Sequence, residues 1–341
     1  MSLISLFRKK NKKLLFTTPS HGQKFFILSK FRQFYKFDVS ETDTHNPVEA
    51  LEKAEIRASE IYGTKYTHFL INGSSAGIIA SVLSCTNRGD KVLIWENAHQ
   101  SHLNAVKLAG CEPVFYSLPL IKEWGIYGKT TPELFDLRGI KALIVTSPTY
   151  EGIVSDITRL KEICAKNNVY LIVDEAHGAL YPFSDKLPQS AVGIADFTIQ
   201  SLHKTAGGLN PTALLHVNCS CDAKNALDMI TTTSPSYPLL ASIEANINYL
   251  NSKKGKNNLN NLIETIVKLR NSVENVEFGG EDITKILVKK VGMSGFELSD
   301  VLFKLYNIED EKTNEVSTML LCGIGTTKTK LERLKKALLN I

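Results

Sequence analysis

Between residues 67 and 217 the chain repeats one alternation: a short run rich in Val, Ile and Leu, then a stretch with helical spacing. The apolar runs are THFLI (67–71), KVLIW (91–95), EPVFY (112–116), KALIVT (141–146), VYLIVD (169–174), DFTIQ (196–200) and TALLHV (212–217). Helix-like stretches such as AGIIASVLSCT and DITRLKEICAKNN lie between several of them. Strands that are apolar throughout need cover on both faces, and parallel neighbours need a crossover long enough to hold a helix. The alternation therefore predicts an α/β fold, a mostly parallel sheet sandwiched by helices. After about residue 237 the pattern changes. SPSYPLLASIEANINYL reads as a long helix, the polar NSKKGKNN interrupts it, and LNNLIETIVKLRNSV resumes the helical period. From about residue 272 the order is strand, strand, helix, strand, helix. The expected organisation is an N-terminal segment (1–45), a large domain (46–250), and a linker helix with a small α+β domain (251–341).

Composition narrows the function classes. With 341 residues, 43% hydrophobic and 22% charged, the chain can bury a sizeable core. No apolar run approaches the roughly 20 residues that span a bilayer. The opening MSLISLFRKKNKKLLF places its charges after a short apolar run, the reverse of a secretory signal, so a cytoplasmic location is expected. The net charge of +5 is matched by Arg8, Lys9, Lys10, Lys12 and Lys13, which leaves the rest of the chain neutral. A single basic run is a solvated face rather than a nucleic-acid footprint, and neither nucleic acid nor membrane is expected as a partner. The six cysteines are scattered with no zinc-site spacing, so buried reduced thiols are expected and no metal.

Ligands of open α/β sheets sit at the carboxyl ends of the strands. After strand 67–71 comes NGSSAG (72–77), where Gly73 permits a tight turn and Ser74, Ser75 and Ala76 open a helix. Helix N-terminal N–H groups and the helix dipole make an anion site there, although serine is also an ordinary N-cap. After strand 91–95 comes ENAHQSH, with His99 just past the strand end, a place for a surface histidine or a ligand. Strand 169–174 closes on Asp174, in VDEAHG, and an acid ending an apolar strand needs a cation or donors. A helix cap or a structural ion pair would satisfy it equally. Strand 196–200 runs into Ser201, His203 and Lys204. Lysine is almost never buried unpaired. A phosphate-sized anion site, a flat ring donor, a buried acid and a partly buried lysine together suit pyridoxal 5′-phosphate. That cofactor carries a phosphate, a pyridine nitrogen to be kept protonated, and an aldehyde that condenses with a lysine.

These stretches resemble the major domain of the pyridoxal-phosphate-dependent Orn/Lys/Arg decarboxylases of fold type I, the aminotransferase-like fold. The matching residues are TPSHGQ (18–23), NGSSAG (72–77), NAHQSHLNAVKLAGCEPVF (97–115), TSPTYEGIVSDI (146–157), LIVDEAHGALYPF (171–183), QSLHKTAGGLNPTALLHV (200–217), TTTSPSYPLLAS (231–242) and DITKILVKKVGMSGFEL (282–298). The resemblance implies that Lys204 carries the Schiff base, Asp174 pairs with the pyridine nitrogen, Ala176 packs under the ring and His99 stacks on its other face. It implies that Ser74, Ser75, Ser201 and His203 hold the phosphate, and that Ser234 reaches the phosphate of a neighbouring subunit in a homodimer. The chain departs from the family pattern at Ala76, at Gly207 and at Leu180, and it stops at the small domain.

A decarboxylase should leave the substrate carboxylate without a strong cation, whereas aminotransferases of this fold clamp it with a small-domain arginine. Arg333 is the single arginine in 272–341 and lies on a Lys-rich helix. Decarboxylation of ornithine, lysine or arginine is the expected reaction, with Lys204 or His177 returning the proton to Cα. Glu151 and Asp43 are candidate acids for a basic substrate's distal group, though a turn cap or a solvated carboxylate would also explain them. The alternatives are transamination, aldol cleavage or β-elimination on the same fold, and a catalytically weak binding or regulatory homologue.

Overall fold

The computed structural model describes residues 2–10, 36–39, 46 and 48–341. TPSHGQ at 18–23, Asp43 and the side chains of the basic run at 8–13 lie outside the described residues. Each expected apolar run is a strand, with ends within a residue of the reading: β1 (Tyr66–Leu70), β2 (Lys91–Trp95) and β3 (Glu112–Tyr116) come first. A small hairpin of β4 (Leu120–Ile121) and β5 (Ile126–Tyr127) follows, then β6 (Ile140–Thr146), β7 (Tyr170–Asp174), β8 (Phe197–Ser201) and β9 (Ala213–Val217). Among the described residues these form a seven-stranded sheet in the order β1-β9-β8-β7-β6-β2-β3. β8, β7, β6, β2 and β3 are parallel, while β9 runs antiparallel to both β8 and β1.

The central strands are apolar throughout because alternate residues feed two cores. On one face Ile144, Ile172 and Ile199 pack with Ile78 and Val82 of helix Ser74–Cys85. On the other, Leu143, Leu171 and Val173 pack with Leu160 and Cys164 of helix Ile157–Lys166. A four-stranded antiparallel sheet follows in the order β10-β11-β13-β12, from β10 (Glu277–Gly279), β11 (Lys285–Lys289), β12 (Lys312–Thr313) and β13 (Thr318–Leu321). Helices Lys253–Arg270, Gly295–Tyr306 and Lys328–Leu339 cover it through Ile266, Leu302 and Leu334.

Two local readings change. The polar NSKKGKNN is not a loop: helix Tyr237–Asn251 breaks at Ser252 alone, and the next helix starts at Lys253. Ser252 Oγ accepts the Gly255 N–H at 3.1 Å, so the polar run is a capped first turn. The β4–β5 hairpin was not anticipated, since two-residue strands carry no periodicity. Its turn is held by Asn314, whose amide donates to the Trp124 and Gly125 carbonyls at 3.2 and 3.1 Å. All six cysteines are free. Among the described residues no helix is long and apolar enough to cross a membrane, and no group of three or more His, Cys, Asp or Glu could hold a metal ion.

Candidate active site

Two adjacent parallel strands end where the sequence puts its acid and its lysine. Asp174 is the last residue of β7, level with Ile199 of β8. β8 ends at Ser201, and the helical turn Leu202–Thr205 that follows carries Lys204. The two loops are stitched together by the Ser201 N–H, which donates to the Ala176 carbonyl at 3.3 Å.

Asp174 is buried, and its surroundings decide its charge. Burial alone would raise its pKa. The hydrogen bond and charge of His102, the charge of Lys204 and the Ala176 N–H outweigh it and hold the carboxyl below the usual range. His102 Nε2 donates to Asp174 Oδ2 at 2.9 Å, and the Ala176 N–H donates to Oδ1 at 3.1 Å. His102 stands on helix Gln100–Leu108 and has no exposed surface. His99, the histidine expected on the ring face, is the exposed N-cap of that helix and bonds Ser101 Oγ at 2.8 Å. HQSH holds two histidines three apart, and nothing in their spacing tells which of them the packed helix turns toward Asp174.

Lys204 is half-buried, and burial pulls its amine below the ordinary lysine range, against the attraction of Asp174 and Glu311. Its Nζ lies 2.9 Å from His177 Nε2. Burial and the Lys204 charge hold His177 well below the ordinary histidine pKa, so its ring is neutral near pH 7. The ring packs on Tyr150 with centroids 4.4 Å apart, and the Tyr150 hydroxyl donates to Glu311 Oε1 at 2.6 Å. Among the described residues no basic side chain lies within ion-pair distance of Glu311, which is exposed. Glu151 is different: it is buried and paired with Lys312 at 2.5 Å.

The residues expected to hold an anion begin at a helix N-terminus. Gly73, at φ +82°, is the N-cap of helix Ser74–Cys85, so Ser74, Ser75 and Ala76 form its first turn. Gly77 lets that helix approach the sheet: a Cβ there would stand 2.9 Å from Ile199 Cγ2 and 2.9 Å from Leu70 Cδ1. His203 donates from Nδ1 to the Thr212 carbonyl at 3.0 Å. Ser234 sits on an exposed loop, and no hydrogen bond ties it to the Lys204 cluster among the described residues. Ser201 Oγ, Thr205 Oγ1, His102 Nδ1 and His177 Nδ1 are buried with no hydrogen-bond partner among those residues. Orphaned polar atoms are costly, and here they surround one lysine and one acid. A ligand with a phosphate and a flat nitrogen ring suits them: the unpartnered hydroxyls of Ser201 and Thr205 could donate to an anion, and an ionised acid stands near a low-pKa amine. The residues present therefore fit pyridoxal 5′-phosphate.

The family model for the major domain of Orn/Lys/Arg decarboxylases matches residues 7–286. The arginine decarboxylase of Bacillus anthracis is 31% identical over 322 residues, covering 87% of this chain. This chain spans only 65% of that relative's length. The solved constitutive lysine decarboxylase of E. coli aligns with a TM-score of 0.86 at 20% identity, over 99% of this chain and 60% of that one. Ureidoglycine-glyoxylate aminotransferase of Bacillus subtilis aligns with a TM-score of 0.65 at 12% identity, over 89% of this chain and 86% of that one, which marks the aminotransferase-like fold.

Proposed function

The chain belongs to the Orn/Lys/Arg decarboxylase family, and from that premise we propose that it removes carbon dioxide from a basic amino acid with pyridoxal 5′-phosphate as cofactor. Decarboxylases of this family and their fold-type I neighbours are dependent on that cofactor. The observation that carries the reading is the meeting of the ends of two adjacent parallel strands: Asp174, held ionised at the end of β7, and Lys204, on the turn after β8 with its amine pKa lowered, lie close enough for each charge to act on the other. Bound there, the cofactor would supply an electrophilic carbon for the lysine and a sink for the electron pair left on Cα when carbon dioxide departs.

The chain's own residues do the rest. Ser74, Ser75, Ser201 and His203 would hold the phosphate, and Ala176 and His99 would bracket the ring. Asp174, kept ionised by His102, would keep the ring nitrogen protonated. Lys204 and His177 face one another at 2.9 Å, so either can hold the proton that replaces the carboxyl group at Cα. Glu311, joined to the site through Tyr150, is the acid free to meet a distal ammonium or guanidinium, a role that the Lys312 ion pair denies to Glu151. Arg333 is exposed and donates to the Tyr306 carbonyl, which supports a substrate carboxylate left without a clamp.

Helix Tyr237–Asn251 closes a large domain (46–250), and the helix after Ser252 links it to a small one (251–341). Ser234, exposed and unattached to its own site, would serve a second copy in a homodimer. The six free thiols accord with a cytoplasmic enzyme.

The test is carbon dioxide release from arginine, lysine and ornithine, with Lys204→Ala as control. At least one substrate should be turned over, and the variant should lose at least about a thousandfold in kcat. Ketone rather than amine products would point to transamination, and equal turnover by Lys204→Ala would remove the lysine from the chemistry.

A further inference from the structure

The loop that carries His177 is held from behind by a buried ion pair belonging to the second sheet. Lys285, the first residue of β11, and Asp282 have no exposed surface. Lys285 Nζ donates to Asp282 Oδ2 at 2.5 Å and to the main-chain carbonyl of His177 at 2.6 Å. Asp282 Oδ2 also accepts from the Tyr181 hydroxyl at 2.7 Å, and Oδ1 accepts from the Thr284 N–H and hydroxyl at 2.8 and 2.6 Å. The Asp282 N–H donates to the Gly152 carbonyl at 3.1 Å. His177 and Tyr181 belong to the loop after β7, and Gly152 to the loop of Tyr150, whose ring packs on His177. One ion pair thus touches both loops that flank Lys204.

Stability does not explain such a pair. Two charges taken out of water cost more than a close contact reliably returns, and apolar side chains of the same volume often fill the space as well. What an apolar pair could not do is donate to the His177 carbonyl and place a positive charge behind the ring.

We propose that Lys285 and Asp282 are positioning residues for the active site: through the His177 carbonyl they set the imidazole against Lys204, so that the site is complete only when the second sheet is docked on the first. The inference rests on the reading of His177 as the partner that shares a proton with Lys204. The charged groups acting on His177 are Lys204, Lys285, Asp174 and Lys312, with the Tyr150 ring packed against it. Of these Lys285 alone also bonds its backbone.

The test uses the full chain with 13C-labelled histidine. The His177 signal is assigned by its loss in His177→Gln and titrated without substrate, so the result does not depend on whether decarboxylation is the reaction. The double variant Lys285→Met/Asp282→Asn keeps the volume and strands no buried charge. In the wild type His177 should stay neutral to the lowest pH at which the protein is folded. In the double variant it should protonate at least about one pH unit higher, and kcat for the amino acid found above should fall at least tenfold with KM nearly unchanged. An unchanged His177 titration in the folded double variant overturns the proposal, whatever its activity. If the double variant does not fold, Lys285→Gln, which removes the charge and keeps a donor, must show the same upward shift, and its absence overturns the proposal equally.

Discussion

His102 gives its Nε2 hydrogen to Asp174 from a fully buried position, so a residue with no obvious mark in the sequence settles the charge of one that stood out. Asp174 and Lys204 were legible because an acid and a lysine ending apolar strands are expensive unless a ligand or partner meets them. His102 was not, because its contact exists only once its helix is laid against β7. Glu175, the next residue after Asp174, is buried too, and it accepts from Ser190, Ala191 and Gln200 with no ion pair among the described residues. Burial pushes its pKa up to about 7. A folded-state pKa above the unfolded one gives stability that is present below about 4.5 and is lost as pH rises through about 7. Glu175→Gln stays neutral at every pH, so relative to the wild type it should gain stability between pH 5 and pH 8, on the order of 1–3 kcal/mol. Urea midpoints at the two pH values check this, and an unchanging difference between the proteins would count against a neutral Glu175 at low pH.

At the level of elements, helix Ser74–Cys85 owes its place to Gly77. The helix lies so close to β8 that an added methyl would meet Ile199 and Leu70 at 2.9 Å. Gly77→Ala should therefore cost about 1–3 kcal/mol in urea unfolding. It should also weaken cofactor binding, because the helix terminus that carries Ser74 and Ser75 would be pushed off the sheet. Wild-type stability in this variant would mean that the packing relaxes freely. The strands were legible almost to the residue, since runs such as KALIVT and YLIVD are apolar on both faces and have one environment to occupy. The break at Ser252 was misplaced for the opposite reason. Lys, Asn and Gly look like a loop by composition, yet a single capping serine lets them form helix on a solvated face.

Over the whole molecule, the homodimer proposed above would cover the sheet edge at β1, where among the described residues Val48, Ile56 and Tyr66 are 54%, 59% and 48% exposed. An edge strand with apolar neighbours invites a partner. Sedimentation should give twice the chain mass of 37.8 kDa, and a monomer with full activity would exclude a shared site. The chain's order of apolar runs already determined a mostly parallel sheet, and the residue types at its strand ends marked where a ligand belongs, because both follow from local solvation costs that any fold must meet. The tertiary structure alone decided that His102 meets Asp174, that Lys312 pairs with Glu151 while Glu311 has no ion pair among the described residues, and that Lys285 grips the His177 carbonyl. Those choices join residues far apart in the chain through distances of about 3 Å, and no periodicity along the sequence encodes which distant side chain will arrive.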